Sequence, residues 1–310
     1  MSQASHQSVL LHESVDALIT DADGFYVDGT FGRGGHSREV LSRLSAQAHL
    51  MAVDKDEQAI TEAKKQFASE ARFSIRHGSF SQLNNWLTEI DRLGKVNGIL
   101  LDLGVSSPQL DEANRGFSFM QDGPLDMRMD RTRGETAAEW INGASQTDIA
   151  RVLKEYGEER YSKRIARAIV EYRDEQPFVT THELSKVVTE ANPAWEKGKH
   201  PATRAFQAIR IHINNELSDL DVILEQALAA LAVGGRLVVI SFHSLEDRRV
   251  KRFIRQQVQG DRLPIGVPVR DEELNKRLRS MGKIVKAGEQ ELSVNPRARS
   301  AVMRVAEKIA

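Results

Sequence analysis

The 310-residue sequence predicts an α/β fold, a doubly wound and mostly parallel sheet with an inserted helical domain. Three observations carry this. Short apolar segments alternate with helical spacing down to Asp102, the alternation then stops, and one further buried-strand pattern appears at Gly235. Phe25-Tyr26-Val27-Asp28 reads as the first strand, followed by a glycine-rich turn and a helix over residues 35–44. Residues 50–54 form the second strand, with helical spacing over 57–68. Residues 73–76 form the third, before a short helix over 81–89, and 98–102 the fourth. Helical patterns then cover 146–156, 158–172, 181–191 and 202–231, with Ser145 and Thr180 as N-caps and Pro193 closing the third of them. Residues 235–242 form the fifth strand and 245–259 a helix. Residues 301–306 alternate like a half-exposed strand that pairs with Lys283-Ile284-Val285 at an edge. The expected division is therefore 1–110 with 200–310 for the sheet domain and 111–199 for the insertion.

Composition narrows the chemistry. The chain has no cysteine, which removes disulfides, thiolate zinc sites, cysteine-held iron–sulfur clusters and a cysteine nucleophile. No apolar stretch approaches the roughly twenty residues of a membrane span, so a soluble, cytoplasmic protein is expected. The net charge of -1 hides an asymmetry: residues 236–310 hold 17 Lys+Arg against 9 Asp+Glu, a net of +8, leaving -9 before them. A polyanionic partner and an ordinary solvated basic face explain this equally well.

The run Val27-Asp28-Gly29-Thr30-Phe31-Gly32-Arg33-Gly34-Gly35-His36 joins the first strand to its helix. Glycines such as Gly32 and Gly34 let the backbone bend and approach a ligand beside a helix N-terminus. Asp54, ending the second strand, is placed to accept hydrogen bonds from ribose hydroxyls. The bend is not a phosphate loop, because His36-Ser37 stands where Lys-Ser or Lys-Thr is required. The dinucleotide fingerprint is also incomplete, with Ser37 at its third glycine position. Asp28 would repel a pyrophosphate and attract an α-ammonium group. S-adenosyl-L-methionine has the adenosine and the ammonium without the phosphates, and it is the expected cofactor.

The fourth strand ends in Leu101-Asp102-Leu103-Gly104-Val105-Ser106-Ser107-Pro108-Gln109. Carboxyl ends of central strands line the ligand crevice of such sheets, so Asp102, Ser106, Ser107 and Gln109 are expected near the transferable methyl. Without a cysteine nucleophile, an exocyclic amine is a better acceptor than a pyrimidine carbon. Its N–H groups need acceptors that orient the nitrogen, and Asp102, Ser106 and Ser107 are the catalytic candidates.

The chain resembles the bacterial 16S rRNA (cytosine-N4)-methyltransferase family, the MraW family. The segments that carry the resemblance are Asp28-Gly-Thr-Phe-Gly-Arg-Gly-Gly-His36, Leu101-Asp-Leu-Gly-Val-Ser-Ser-Pro-Gln-Leu-Asp111, Gly116-Phe-Ser-Phe119 and Gly123-Pro-Leu-Asp-Met-Arg-Met-Asp130. Phe206-Gln-Ala-Ile-Arg210, Ser241-Phe-His-Ser-Leu-Glu-Asp-Arg248 and Asn295-Pro-Arg-Ala-Arg-Ser300 extend it from about His12 to the C-terminus. The resemblance implies a Rossmann-like class I methyltransferase core with a helical recognition domain. It implies action on the N4 amine of a decoding-centre cytosine, with the assembled or nearly assembled small ribosomal subunit as partner, no membrane and no metal. It places cofactor contacts on Gly34, Gly35, His36, Asp54, Phe80, Asp102 and Gln109.

Other residues carry alternatives. His243 is expected to shape a substrate pocket, with Ser244 and Asp247 as competing helix caps. Asp126, Arg128 and Asp130, in a polar loop entering the insertion, either order a lid over the site or pair with each other. Arg248, Arg249, Lys251, Arg252 and Arg255 form one basic group, with Arg248 and Arg252 as substrate contacts. Lys197, Lys199, His200 and Arg204 form a second. Three classes compete: an rRNA N4-methyltransferase, a methyltransferase for DNA, protein or a small molecule, and a non-catalytic RNA-binding or assembly factor.

Overall fold

A computed structural model describes residues 8–194, 198, 200–261 and 274–310; Lys197 and Lys199 lie outside the described residues. The chain forms two compact units, Met1–Gly104 with Leu217–Ala310, and Val105–Glu216. The first begins α1 (Leu11–Leu18), β1 (Phe25–Asp28), α2 (Gly35–Arg43), β2 (His49–Asp54), α3 (Glu57–Gln66), β3 (Phe73–His77), α4 (Leu83–Glu89) and β4 (Val96–Asp102). The second holds α5 (Ser107–Asp111), α6 (Ala137–Gly143), α7 (Gln146–Gly157), α8 (Ser162–Glu175), α9 (Thr181–Ala191) and α10 (Thr203–Ile213). After it follow α11 (Glu216–Ala230), β5 (Leu231–Ser241), α12 (Ser244–Gln259), β6 (Leu278–Ser280), α13 (Glu289–Val294) and β7 (Val302–Lys308).

The sheet order is β3-β2-β1-β4-β5-β7-β6, parallel from β3 through β5 and antiparallel at β7. Successive side chains of each strand point to opposite faces, and both faces are covered. Val27, Met51, Ile99, Leu101 and Val239 pack against Leu83 and Leu87 of α4, Ile223 of α11 and Val250 of α12. Tyr26, Leu50, Leu100 and Val238 pack on the other side against Val15 of α1, Val40 of α2, and Met303 and Val305 of β7. Burial on both faces explains why these strands read as continuous apolar runs.

Several expectations change. Residues 202–231 are two helices, not one. The chain breaks at Asn214-Asn215, where Asn215 takes a left-handed φ of 52° that asparagine tolerates. The Asn214 side chain reaches back to loop backbone, accepting from Met129 N (2.7 Å) and donating to Met127 O (2.8 Å). The boundary also moves: α10 belongs to the helical unit because Ala205, Phe206, Ala208 and Ile209 fill that unit's core with Ile149, Val152 and Leu153 of α7. The helix expected at 158 starts at Ser162, since Glu158 is left-handed (φ 49°) and closes α7. The C-terminal strand is internal. It pairs with β5 on one side and β6 on the other, and only a single bridge, Val285 to Met303, falls where the edge pairing was expected. The caps Ser145 and Thr180 are found as read, accepting from Asp148 N and Glu183 N.

Asn214→Ala removes the partners of two backbone groups that sit against a buried loop. It should lower the stability of the full chain by about 2–4 kcal/mol, since an unsatisfied buried group costs about 1–3 kcal/mol. Urea unfolding checks this, and an unchanged midpoint and slope would show that the loop is held by other means.

Candidate active site

Sequence progress along the sheet reverses between β1 and β4: β2 and β3 lie to one side, β5 to the other. Ligands of open α/β sheets bind at such a switch point, beyond the carboxyl ends of the strands. Three of those ends carry a carboxylate, Asp28 on β1, Asp54 on β2 and Asp102 on β4.

The bend after β1 is held by backbone bonds to the neighbouring strands. Gly29 N–H donates to Leu100 O (2.9 Å) and Phe31 N–H to Val53 O (3.0 Å). Gly32 and Gly34 take positive φ of 56° and 72°. At Gly34 a Cβ would also lie 2.6 Å from the Phe31 ring, and at Gly35 one would lie 2.0 Å from Ser8 Oγ. Glycine is therefore required by conformation at the first two, with an added contact at Gly34, while at Gly35 a side chain would displace the Ser8 hydroxyl. Above Gly32 nothing lies within 4 Å of that position among the described residues, so its backbone faces open space.

Each carboxylate is held differently. Asp28 is buried, accepting from Ser37 Oγ (2.7 Å) and Thr30 N–H (3.2 Å). Burial pushes its acidity weaker than usual, opposed by the His36 charge and by those two bonds. Asp54 accepts from Gly32 N–H (2.7 Å) and Asp56 N–H (2.8 Å). Burial nevertheless raises it to about 6 against those bonds, helped by the charges of Asp56 and Asp28. Asp102 is likewise raised to about 6 by burial, opposed by His36 and reinforced by Asp28, Glu246 and Glu291. Water reaches 24% of the Asp102 side chain, which moderates that shift. Its Oδ1 is buried without a hydrogen-bond partner among the described residues. Its Oδ2 lies 3.7 Å from His36 Nδ1.

His36, at the start of α2, is buried with Nε2 3.1 Å from Val9 O. A carbonyl can only accept, so Nε2 carries a hydrogen and Nδ1 is the atom turned to Asp102. Phe80, just past β3, is half-buried against the main core, with Lys55 Nζ 6.0 Å from its ring centre. Lys55 itself pairs with Asp219 (2.5 Å), which also accepts from Ser79 Oγ (2.7 Å). The first unit thus brings together Asp28, Gly32, Gly34, Gly35, His36, Asp54, Phe80 and Asp102.

Thr30, Ser37, Asp56 and the Val9 carbonyl complete this set and were not singled out from sequence. Thr30 Oγ1 accepts from Asp102 N–H at 2.6 Å, joining the bend to β4. Asp56, the N-cap of α3, was recognisable as an aspartate opening a helix; the others contact through register alone.

His243 is the N-cap of α12, with Glu246 at N3 in a capping box; Ser244 and Asp247, the expected caps, are not. Glu246 accepts from Phe242 N–H (2.8 Å), and Asp247 pairs with Arg304 (2.7 Å). Arg248 and Arg252 lie exposed on α12. In the second unit, Ser106 opens α5 in a capping box with Gln109, whose Oε1 accepts from Ser106 N–H (3.0 Å). Ser107 and Gln109 are buried. Asp126 and Arg128 pair with each other at 2.7 and 3.1 Å, with Arg131 also at 3.3 Å from Asp126. Buried Arg115 donates to the carbonyls of Arg128 and Met129, so this loop is organised from within.

The sequence of the MraW methylase family matches residues 3–309. The ribosomal RNA small subunit methyltransferase H of Chromohalobacter salexigens is 57% identical over 305 residues, covering 98% of this chain and 92% of its own. The protein of that name from Marinomonas sp. is 56% identical, covering 99% and 98%. That from Legionella pneumophila strain Paris is 57% identical, covering 99% and 100%. With matches of this extent over both chains, the protein belongs to the MraW methylase family.

Proposed function

We propose that the chain transfers a methyl group from S-adenosyl-L-methionine to the exocyclic N4 amine of a decoding-centre (P-site) cytosine in 16S rRNA. The substrate is the assembled or nearly assembled small ribosomal subunit, which places the protein in the cytoplasm. The observation that carries the reading is the trio of desolvated carboxylates at the switch point, with one Asp102 oxygen unpartnered. Such a site suits a cationic nucleoside without phosphates. The names of the relatives supply the class of substrate.

The residues fit that cofactor. Asp54, held by two backbone N–H groups, retains lone pairs that would take ribose hydroxyls; buried Asp28 would supply negative charge toward an ammonium group; Phe80 would offer a ring to adenine. The bound sulfonium supplies an electrophilic methyl carbon. Asp102 Oδ1 accepts an N–H of the amine and keeps its nitrogen aimed at that carbon. The amine's proton passes to Asp102 Oδ1 as the nitrogen takes the methyl, while His36, held by the Val9 carbonyl, lies with Nδ1 3.7 Å from Oδ2. Ser106 and Ser107 are proposed to assist in orienting the amine, Gln109 to contact the cofactor, and Asp126, Arg128 and His243 to shape the substrate side. Among the described residues no helix is long and apolar enough to cross a membrane.

Incubating the protein with cofactor and undermethylated small subunits, then analysing the rRNA nucleosides by mass, tests the assignment. N4-methylcytidine is the expected product, and methylation of another base or none sinks it. In the same assay Asp102→Asn should lower kcat by a factor of about 100 or more, the usual scale for a proton-accepting group. Cofactor affinity should fall by less than about tenfold, because one of several polar contacts to it is altered. An unaltered kcat would remove Asp102 from the chemistry.

The raised carboxylates set a pH dependence. In the cation-free protein, the stability contributed by protonated Asp54 and Asp102 is present below about pH 4 and lost as pH rises through about 6. A bound cation favours the ionised forms, so binding below that range must release protons. Cofactor affinity should therefore rise from pH 5 to 7 and then level off, with proton release near pH 6. Calorimetry in buffers of different ionisation enthalpy reads this directly, and a flat affinity profile would contradict it.

A further inference from the structure

The exposed face of α12 is built as a cationic rail. Arg248, Lys251, Arg252 and Arg255 recur at i, i+3, i+4 and i+7, which places them on one stripe of a helix, and all four are exposed. Arg249 is the odd member: it points off the stripe and meets Asp221 of α11 at 3.2 Å. Four of the five charges of this basic group therefore share one exposed face.

The helix's own acids do not neutralise the stripe. Glu246 is buried in the capping box and Asp247 is paired with Arg304. Lys251, Arg252 and Arg255 have no carboxylate partner among the described residues. Like charges at i,i+3 and i,i+4 repel, so the arrangement works against the helix that carries it. An ordinary solvated helix mixes both signs on its outer face. Among the described residues no carboxylate offsets Lys251, Arg252 and Arg255, and a natural source of the opposite sign is a ligand.

The stripe covers seven residue steps, roughly 10 Å at 1.5 Å per residue, a span suited to two or three successive phosphates of one nucleic-acid strand. Its helix begins directly after β5, whose Ile240 pairs with Asp102 of β4. We propose that this face binds the sugar-phosphate backbone of the RNA strand whose base reaches Asp102, supplying affinity without reading sequence. The proposal rests on the rRNA reading above.

The test is the salt dependence of binding between the full-length protein and purified small subunits. The triple variant Lys251→Gln, Arg252→Gln, Arg255→Gln should reduce the slope of log affinity against log salt by about 2, at about 0.7–0.9 per lost phosphate contact. Affinity near 0.1 M salt should fall on the order of 100-fold. Arg249→Gln, which breaks only the pair with Asp221, should leave the slope as in the parent. A triple-variant slope equal to the parent's overturns the proposal, as does a loss of binding confined to phosphatidylglycerol vesicles. Methyl transfer by the parent is measured alongside: its absence sinks the rRNA reading, whereas transfer with an unchanged slope sinks the rail alone.

Discussion

Three carboxylates gathered at the ends of adjacent parallel strands are the constraint around which the first unit is arranged. Removing charge from water is expensive, and bringing like charges together adds to the expense. The surroundings of Asp28, Asp54 and Asp102 address this group by group. Asp54 is given two backbone N–H donors, Asp28 a hydroxyl and a nearby imidazole, and Asp102 the same imidazole on one oxygen only. The bend must turn sharply so that Gly32 N–H points at Asp54, which requires the positive φ that glycine permits. The N-terminal segment must fold back so that Val9 O anchors His36, which brings Ser8 against Gly35. One electrostatic requirement thus explains backbone features that otherwise look unrelated.

Much of this arrangement is visible in the sequence because it is local. Strands buried on both faces announce themselves as apolar runs, and an aspartate at the end of such a run is almost bound to sit at the sheet's carboxyl edge. That is why Asp28, Asp54 and Asp102 were identifiable while their partners were not. Thr30 meets Asp102 across 72 positions and Asn214 meets Met129 across 85, contacts no local pattern encodes. The break at Asn214-Asn215 was hidden for the same reason, since flanking residues on both sides keep helical spacing. Other omissions were legible in principle: Ser106-x-x-Gln109 and Thr136-x-x-Glu139 are capping boxes that mark α5 and α6. His243 as a cap was not, because histidine is seldom used there.

The connection from β4 to β5 shows how the chain accommodates the second unit. Those strands are direct neighbours, with Ile99 opposite Leu237 and Asp102 opposite Ile240, and α11 alone suffices to link them. The residues 105–216 enter that single crossover. The helical unit closes its own core, from Leu125 and Trp140 to Phe206 and Ile209, and orders its entry loop through Arg115 and Asn214. A unit with its own core can diverge in surface chemistry while the carboxylate site stays fixed.

The cost of the carboxylates also bears on how the protein treats its proposed cofactor. At neutral pH, ionised Asp54 and Asp102 are held where burial opposes their charge, so the cation-free protein is less stable than its contacts alone would make it. A cation in the cleft reverses the sign of that contribution, because the same low-dielectric surroundings strengthen attraction as much as they penalise isolation. Binding and folding then share one free energy: whatever the carboxylates lose in the free protein is returned on binding. The demethylated product is neutral at sulfur, so it returns less. Charge burial of this kind therefore favours the substrate form of the nucleoside over the product form. It does so without any change in the shape of the pocket.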